Sequence, residues 1–343
     1  MLEQELGDEM REGIIHGAVL AAGTLGGALE TRACGYADPG HTRLMRPDTV
    51  IDMASVTKVL ATTSAMLLAH DRNLLDFDRP FNDYLPEYRA ALLQPIRVRD
   101  LAMHRSGFGQ QNHYAAETGA EICRNILSVP PPNPFGNYQY SCWNFHLLSM
   151  IIEEVTGTTL DEFCRQQIFL PLGMTDTSLG KPVTSDSFRL AQTCATQHPG
   201  QISDFIAFRL YRDGFNTGNA GAFSCAGDLA KFCRCLLRDG KTESGLQLFS
   251  SEAIQEIRTP AMQAGPVQRS FGWIVEDECK PDGFSPHTAY HSGWSGQTIF
   301  LDFERQFYAI VLTTRTLEQY DRAKTGRFKI IAELARECGI RQG

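Results

Sequence analysis

Residues 52–60 read DMASVTKVL. Lys58 follows Ser55 by three positions, in a run that is otherwise apolar or small, and the fold turns on where that lysine points. One reading is a helix start with the lysine in water. The other is a lysine aimed at the serine. Val56, Thr57 and Lys58 lead into VLATTSAMLLAHD, whose apolar residues recur at helical three- and four-residue spacing. Residues three apart share a helix face, and Ser55 is expected at the helix N-terminus, where free N–H groups and the dipole favour developing negative charge. A serine hydroxyl is a poor nucleophile without a base. A lysine within reach can act as one if burial or nearby positive charge lowers its pKa, and the apolar flanks offer burial. The pattern alone does not decide, because SLGK at 178–181 matches it too. There an internal glycine and the following Pro182 cannot place serine and lysine on one helical face, so that match is discarded.

Outward from this stretch, the chain has strands at both ends and helices between. GAVLAAG (17–23) and ALETRACGYAD (28–38), joined by TLGG, predict an antiparallel hairpin. VRDLAMH, YSCWNFHLLSMIIEEVTG, LDEFCRQQIF, AGDLAKFCRCLLRDG and SSEAIQEIRTP carry helical periodicity or cap signals, with Ser251 before the last of them and Pro260 after it. SFGWIVEDE, GQTIFLDFE and QFYAIVLTTR are β-rich, and GRFKIIAELARECGI closes as a helix. The expected fold class is α/β (α+β): an antiparallel sheet built from the N- and C-terminal segments, flanked by helices, with a large mostly helical region inserted. The predicted division is 1–58 and 266–343 for the sheet and 59–265 for the insertion, with an active site at their interface. VPPPNPFGN (129–137) reads as a rigid loop.

The 343 residues suffice for a substantial core without staples. A net charge of −8 argues against nucleic acid as a partner. The ten cysteines lack CxxC spacing and are expected to be unpaired in a reducing compartment. The acidic N-terminus lacks the basic and apolar regions of a secretory signal, and no run reaches the length of a membrane span. The chain therefore reads as cytoplasmic, or periplasmic or secreted if it is a trimmed form.

Two further stretches favour the chemical reading of Lys58. In YQYSCWNFHLL (138–148), Tyr140 and Ser141 stand between a Pro/Gly loop and an apolar helix; in YHSGWSGQTIFLD (290–302), His291, Ser292 and Gly293 open a β-run, and the glycine permits close backbone approach. Three small polar motifs, one in each third of the chain and each at the edge of an element, are how a site is assembled at an interface. No HExxH or GxSxG is present, so a metal site and an α/β-hydrolase nucleophile are not expected. No cofactor is expected. His104, His113 and His146 are read as structural or rim residues, and Trp143 and Phe145 as core.

Taken together, VIDMASVTKVLATTSAMLLA, LLDFDRPFNDYLPEY, LAMHRSGF, YSCWNFHLLSMIIEEVTG, NAGAFSCAGDLAKFCRCLL, FGW and HSGWSG resemble, in order, the serine β-lactamase and penicillin-binding-protein superfamily. The resemblance is to the class C β-lactamase branch, with its DD-peptidases, esterases and D-amino-acid amidases. It implies that Ser55 is the acylated nucleophile and Lys58 its proton-transfer partner. It implies that Tyr140 relays the proton and that His291 stands where many members have lysine. The backbone N–H groups of Ser55 and Trp294 would form the oxyanion hole. Ser292 and Gly293 would complete the third motif, and Gln110 would contact the substrate carbonyl. The second motif departs from the family's Tyr-x-Asn: its third residue is Cys142, a weak donor and acceptor, which puts acylamide recognition and β-lactamase activity in doubt. Asn144, two residues later, is the candidate substitute. The expectation is a serine hydrolase acting on a small-molecule or peptide ester or amide, with two alternatives: a carboxylesterase with little β-lactam activity, and a non-catalytic binding or assembly member.

Overall fold

The computed structural model describes residues 2–109, 118–264 and 267–340. Its main sheet is antiparallel and draws on both ends of the chain. The strand Ile15–Thr24 is central, paired on one side with Phe307–Arg315 and on the other with Gly27–Ala28 and Arg32–Gly35. Beyond Phe307–Arg315 follow Gln297–Asp302, Thr288–Ser292, Ile274–Glu276, Val267–Arg269 and Met262–Ala264. The antiparallel sheet of the two termini, flanked by helices with a largely helical stretch between, is the fold class expected.

The central strands are apolar without a break because helices cover both faces. Their alternation sorts side chains between two cores. Ala18, Leu20 and Ala22, with Phe307, Ala309 and Val311, face the terminal helices Leu2–Arg11 and Tyr320–Glu337. Val19 and Ala21, with Tyr308, Ile310 and Leu312, face the larger core formed with the helices between. A one-residue slip would exchange these sets and drive both into the wrong core.

A second sheet of three short strands leads into the site: Ile51–Asp52 and Ser178–Leu179 flank Ala222–Ser224. Met53 then donates its N–H to the Ala222 carbonyl at 2.8 Å. From Val56 to Ala69 every residue is buried, and Lys58 is the one charged side chain among them. A helix apolar all round belongs in a core, so the burial read from the flanks is present.

The local geometry differs from the plain α-helix expected. Ala54–Val56 is a 3₁₀ turn, Lys58–Thr63 is a π-helix, and α-helix runs only over Ser64–Asp71. Ala54 lies at φ +44°, which strains a residue with a Cβ. The polar side chains here bond backbone: Thr62 donates to the Gly218 carbonyl at 2.7 Å, and Thr57 accepts from Ala222 N–H at 3.0 Å. These tertiary bonds hold a segment that helical propensity alone would wind tighter, and π-turns commonly mark functional positions. Elsewhere, Ser250 rather than Ser251 caps the helix Ser251–Arg258, accepting from Ala253 N–H at 3.0 Å. Among the described residues no helix is long and apolar enough to cross a membrane.

Candidate active site

Lys58 points at Ser55. Its Nζ donates to Ser55 Oγ at 3.0 Å, to the Asn219 carbonyl at 2.9 Å and to Cys142 Sγ at 3.6 Å. Three acceptors match the three donors of an ammonium. The Tyr140 hydroxyl donates to Ser55 Oγ at 2.9 Å. Ser55 Oγ therefore lies within hydrogen-bond reach of two proton-carrying groups. Lys58 is fully buried, and its ammonium lies 5.0 Å from the Tyr140 ring centre and 5.6 Å from that of Phe145.

Each side chain has a local reason to be there. Tyr140 precedes the helix Cys142–Thr156, which is capped by Ser141: its hydroxyl accepts from Trp143 N–H at 3.2 Å and donates to the Gly109 carbonyl at 2.9 Å. Those bonds fix the helix start and so the position of Cys142 in its first turn. His291 is the penultimate residue of the strand Thr288–Ser292, and Gly293 begins the turn to Gln297–Asp302. A Cβ on Gly293 would meet the Met53 carbonyl oxygen at 2.7 Å and Ala54 Cβ at 3.1 Å. That approach seats the turn carrying Trp294 against the residues that precede Ser55. Arg315, buried beneath, donates through Nε to the Trp294 carbonyl and lies 4.9 Å from the Trp294 ring centre.

The electrostatics follow from burial and from unpaired cations. Burial alone would push the Lys58 ammonium down. The neighbouring Cys142 and Tyr140, when ionised, and the Asp204 carboxylate outweigh it and hold Lys58 above its ordinary value of 10.5. The three acceptors favour the charged form in the same way. Burial pushes the Tyr140 phenol up, against the pull of Lys58. His291 is buried and held well below the usual histidine range by desolvation, then by Arg269 and Lys58. Neither of its ring nitrogens has a hydrogen-bond partner among the described residues. His104 is held neutral in the same way, and His146 is pushed down to about 3 by burial and Lys58.

The remaining sequence expectations divide. Cys142 does reach Lys58. Asn144 does not: it is fully buried, and its amide is committed to Ser106 Oγ at 2.7 Å and His104 Nδ1 at 3.2 Å, so it is no substitute for the missing asparagine. Ser292 Oγ lies 2.9 Å from Thr298 Oγ1. Gln110 and His113 fall outside the described residues. Ser178 donates to the Lys181 carbonyl and lies in a strand, so the rejected SLGK makes no serine–lysine pair. Trp143 and Phe145 are core residues. Among the described residues, no group of three or more His, Cys, Asp or Glu side chains is arranged to hold a metal ion.

Two contributors were not legible. Asn219 acts through its backbone carbonyl, which has no residue signature. Arg269 is fully buried, donates through Nη2 to the Gly272 carbonyl at 3.0 Å, and has no partner for Nε and Nη1 among the described residues. It sits over the Tyr138 ring at 5.6 Å and depresses both His104 and His291. An arginine in a strand-like run gives no such signal; only a contact prediction could have found it.

Comparison with known proteins is consistent with this geometry. The Beta-lactamase family model matches residues 2–332. A putative D-alanyl-D-alanine carboxypeptidase of Escherichia coli (strain K12) is 27% identical over 307 residues, covering 78% of this chain and 69% of that protein. An N-acetylmuramyl-L-alanine amidase of Bacillus subtilis (strain 168) is 28% identical over 336 residues, covering 83% and 74%. Among solved structures, EstCE1, a hydrolase with promiscuous acyltransferase activity, superposes with a TM-score of 0.79 at 20% identity, covering 96% of this chain and 97% of that one. A penicillin-binding protein homologue from Caulobacter crescentus gives 0.78 at 18% identity, covering 97% and 96%. At these identities the solved structures speak for the fold.

Proposed function

The chain belongs to the beta-lactamase family, and from that premise we propose that it is a serine hydrolase that cleaves an ester or amide through a Ser55 acyl-enzyme. The observation that carries this is the placement of Ser55 Oγ 3.0 Å from Lys58 Nζ and 2.9 Å from the Tyr140 hydroxyl. In the resting site Lys58 is an ammonium and Tyr140 a phenol. Loss of one proton from this pair creates the base. That base takes the Ser55 proton as Oγ bonds to the substrate carbonyl carbon, and the carbonyl electrons move onto oxygen. The Ser55 and Trp294 N–H groups receive the oxyanion, each such donor being worth about 3 kcal/mol. Collapse expels the alcohol or amine, which takes its proton back from Tyr140, and water repeats the sequence to free Ser55. His291, neutral and buried, leads through Ser292 to Gly293, whose close approach to Met53 and Ala54 seats this motif beside Ser55.

Cys142 favours a carboxylesterase with little β-lactam activity as the specific form. Its sulfur occupies a position beside Lys58 and offers an approaching acylamide neither a strong donor nor a strong acceptor. Asn144, tied to His104 and Ser106, does not supply the missing amide. The same reading divides the chain into a sheet unit, 1–58 and 266–343, and a helical insertion, 59–265, with the site between. All ten cysteines are free, which supports a reducing, cytoplasmic compartment.

The test is intact-protein mass after brief exposure to a fluorophosphonate, with Ser55→Ala alongside. One adduct on the native chain and none on the variant is the expected result. A folded native chain that takes no adduct overturns the hydrolase reading in favour of a binding role.

A further inference from the structure

Behind the nucleophile lies a buried carboxylate that the proposed reaction does not use. Asp52 ends its short strand and is 2% exposed. Its Oδ1 accepts from the Ala54 N–H at 3.2 Å, the residue at φ +44° immediately before Ser55. Its Oδ2 accepts from both the N–H and the hydroxyl of Ser203, 151 positions away, the N–H at 3.0 Å. Ser203 Oγ lies 3.4 Å from Ser295 Oγ, which donates to Gln297 Oε1 at 2.8 Å, inside the turn that carries Trp294. The next residue, Asp204, accepts from Asn219 Nδ2 at 3.2 Å, and the Asn219 carbonyl accepts from Lys58. One carboxylate thus ties together the nucleophile turn, the loop before the helix Phe205–Arg212, and the turn of the third motif.

No cation pairs with Asp52 among the described residues. The charged group that faces it is Asp204, and the Cys194 thiol nearby is pushed up to about 11 and is neutral. A buried carboxylate with a like charge beside it is an unfavourable thing to keep unless its acceptor capacity is needed. A strained alanine persists only where surrounding bonds over-determine it.

We propose that Asp52 is a positioning residue for acylation: its carboxylate fixes the Ser55 turn, the Ser203 loop and the Trp294 turn in the one arrangement in which Ser55 reacts. This rests on the reading of Ser55 as the nucleophile. Desolvation, opposed by the Ser203 and Ala54 bonds and aided by Asp204, raises the Asp52 carboxyl to about 6. Below that pH it gains a proton, one oxygen becomes a donor, and the bonds from Ala54 and Ser203 cannot all be kept.

The experiment is the second-order rate of fluorophosphonate labelling, read by intact mass between pH 5 and 8, for the native chain, Asp52→Asn and Ser203→Ala. The native rate is expected to fall about tenfold per unit from pH 8 to 6, as the Lys58–Tyr140 pair protonates, and about a hundredfold per unit below 6. Asp52→Asn is expected to label ten- to a hundredfold more slowly at pH 8, with no break near 6. Its Tm at pH 7.5 is expected to be no lower than that of the native chain, because a costly buried charge has gone. Ser203→Ala keeps the Ser203 N–H bond and is expected to fall between the two. An Asp52→Asn rate equal to native overturns the proposal while leaving the hydrolase reading intact, as does a native profile without the break. A slower variant with a lower Tm and an unchanged break also overturns it, because that is a plain structural role. No native adduct at any pH overturns the nucleophile reading and this proposal with it.

Discussion

Raising the pH should activate this protein on a simple ester, tenfold per unit from about pH 7 to pH 10. Three acceptors surround the Lys58 ammonium, neighbouring charges outweigh burial and hold it above the ordinary lysine value, and burial holds Tyr140 protonated beside it. In the proposed mechanism, the base for Ser55 is this pair less one proton. At pH 7.5, three units below an ordinary lysine, only about one molecule in a thousand carries it. Moving to pH 9.5 should recover about a hundredfold in kcat/KM, or about 2.7 kcal/mol of barrier. The assay is initial rates on a small aryl ester, corrected for spontaneous hydrolysis, with circular dichroism at each pH. A profile flat from pH 7 to 9 would refute the reasoning, because the base would already have lost its proton and the acceptors around Nζ would not be holding the ammonium.

Cys142→Asn should raise turnover of a β-lactam at least tenfold while leaving that of a simple ester within about threefold, since an amide beside Lys58 can bond an acylamide and an ester has none; equal effects on both substrates in steady-state kinetics would sink the specificity argument. Gly293→Ala places a Cβ 2.7 Å from both the Met53 carbonyl oxygen and Gln297 Oε1, so it should cost about 1–3 kcal/mol in denaturant unfolding and lower kcat by a hundredfold or more as the Trp294 turn is pushed off Ser55. Stability should also fall as pH drops below about 6.5. His104, His146 and His291 are depressed in the fold and must be charged in the unfolded chain, so the unfolded state binds three more protons there. Asp52, raised to about 6, and Glu9, raised to about 7, work in the opposite direction by binding protons in the fold. The net of about one proton predicts a slope of roughly 1–2 kcal/mol per pH unit between pH 6 and 5, checked by urea unfolding at fixed pH; stability that rises on acidification would contradict the burial of the histidines.

Sequence reasoning read the elements well where one force decided them. The alternation in Ile15–Thr24 and Phe307–Arg315 and the uncharged run after Lys58 report burial directly, so the sheet and the central helix were legible. The Ser55, Lys58 and Tyr140 motifs gave three groups that do converge. What failed was what depends on partners distant in sequence. Nothing in DMASVTKVL announces a 3₁₀ turn followed by a π-helix, because that geometry is imposed by Gly218 and Ala222 from the far side of the insertion. Asn144 looked like a replacement amide because it lies only two positions beyond Cys142 in sequence. On a helix that step turns the side chain by about 200°, away from Lys58 and into His104.

The charge distribution explains why histidine stands in the third motif. Lys58 and Arg269 are both buried cations, neither salt-bridged among the described residues, and both depress His291. A lysine at 291 would be a third buried cation facing the other two, with no carboxylate among the described residues acting on that position, at a cost of several kcal/mol. A neutral imidazole fills the position without adding to that repulsion. The positive potential that a lysine would give is already supplied by Arg269, two strands away in the sheet, whose Nε and Nη1 have no hydrogen-bond partner among the described residues. The site is therefore arranged to favour negative charge as it develops on the substrate, while His104, His146 and His291 remain neutral and leave the Lys58–Tyr140 pair as the place where a proton is gained or lost.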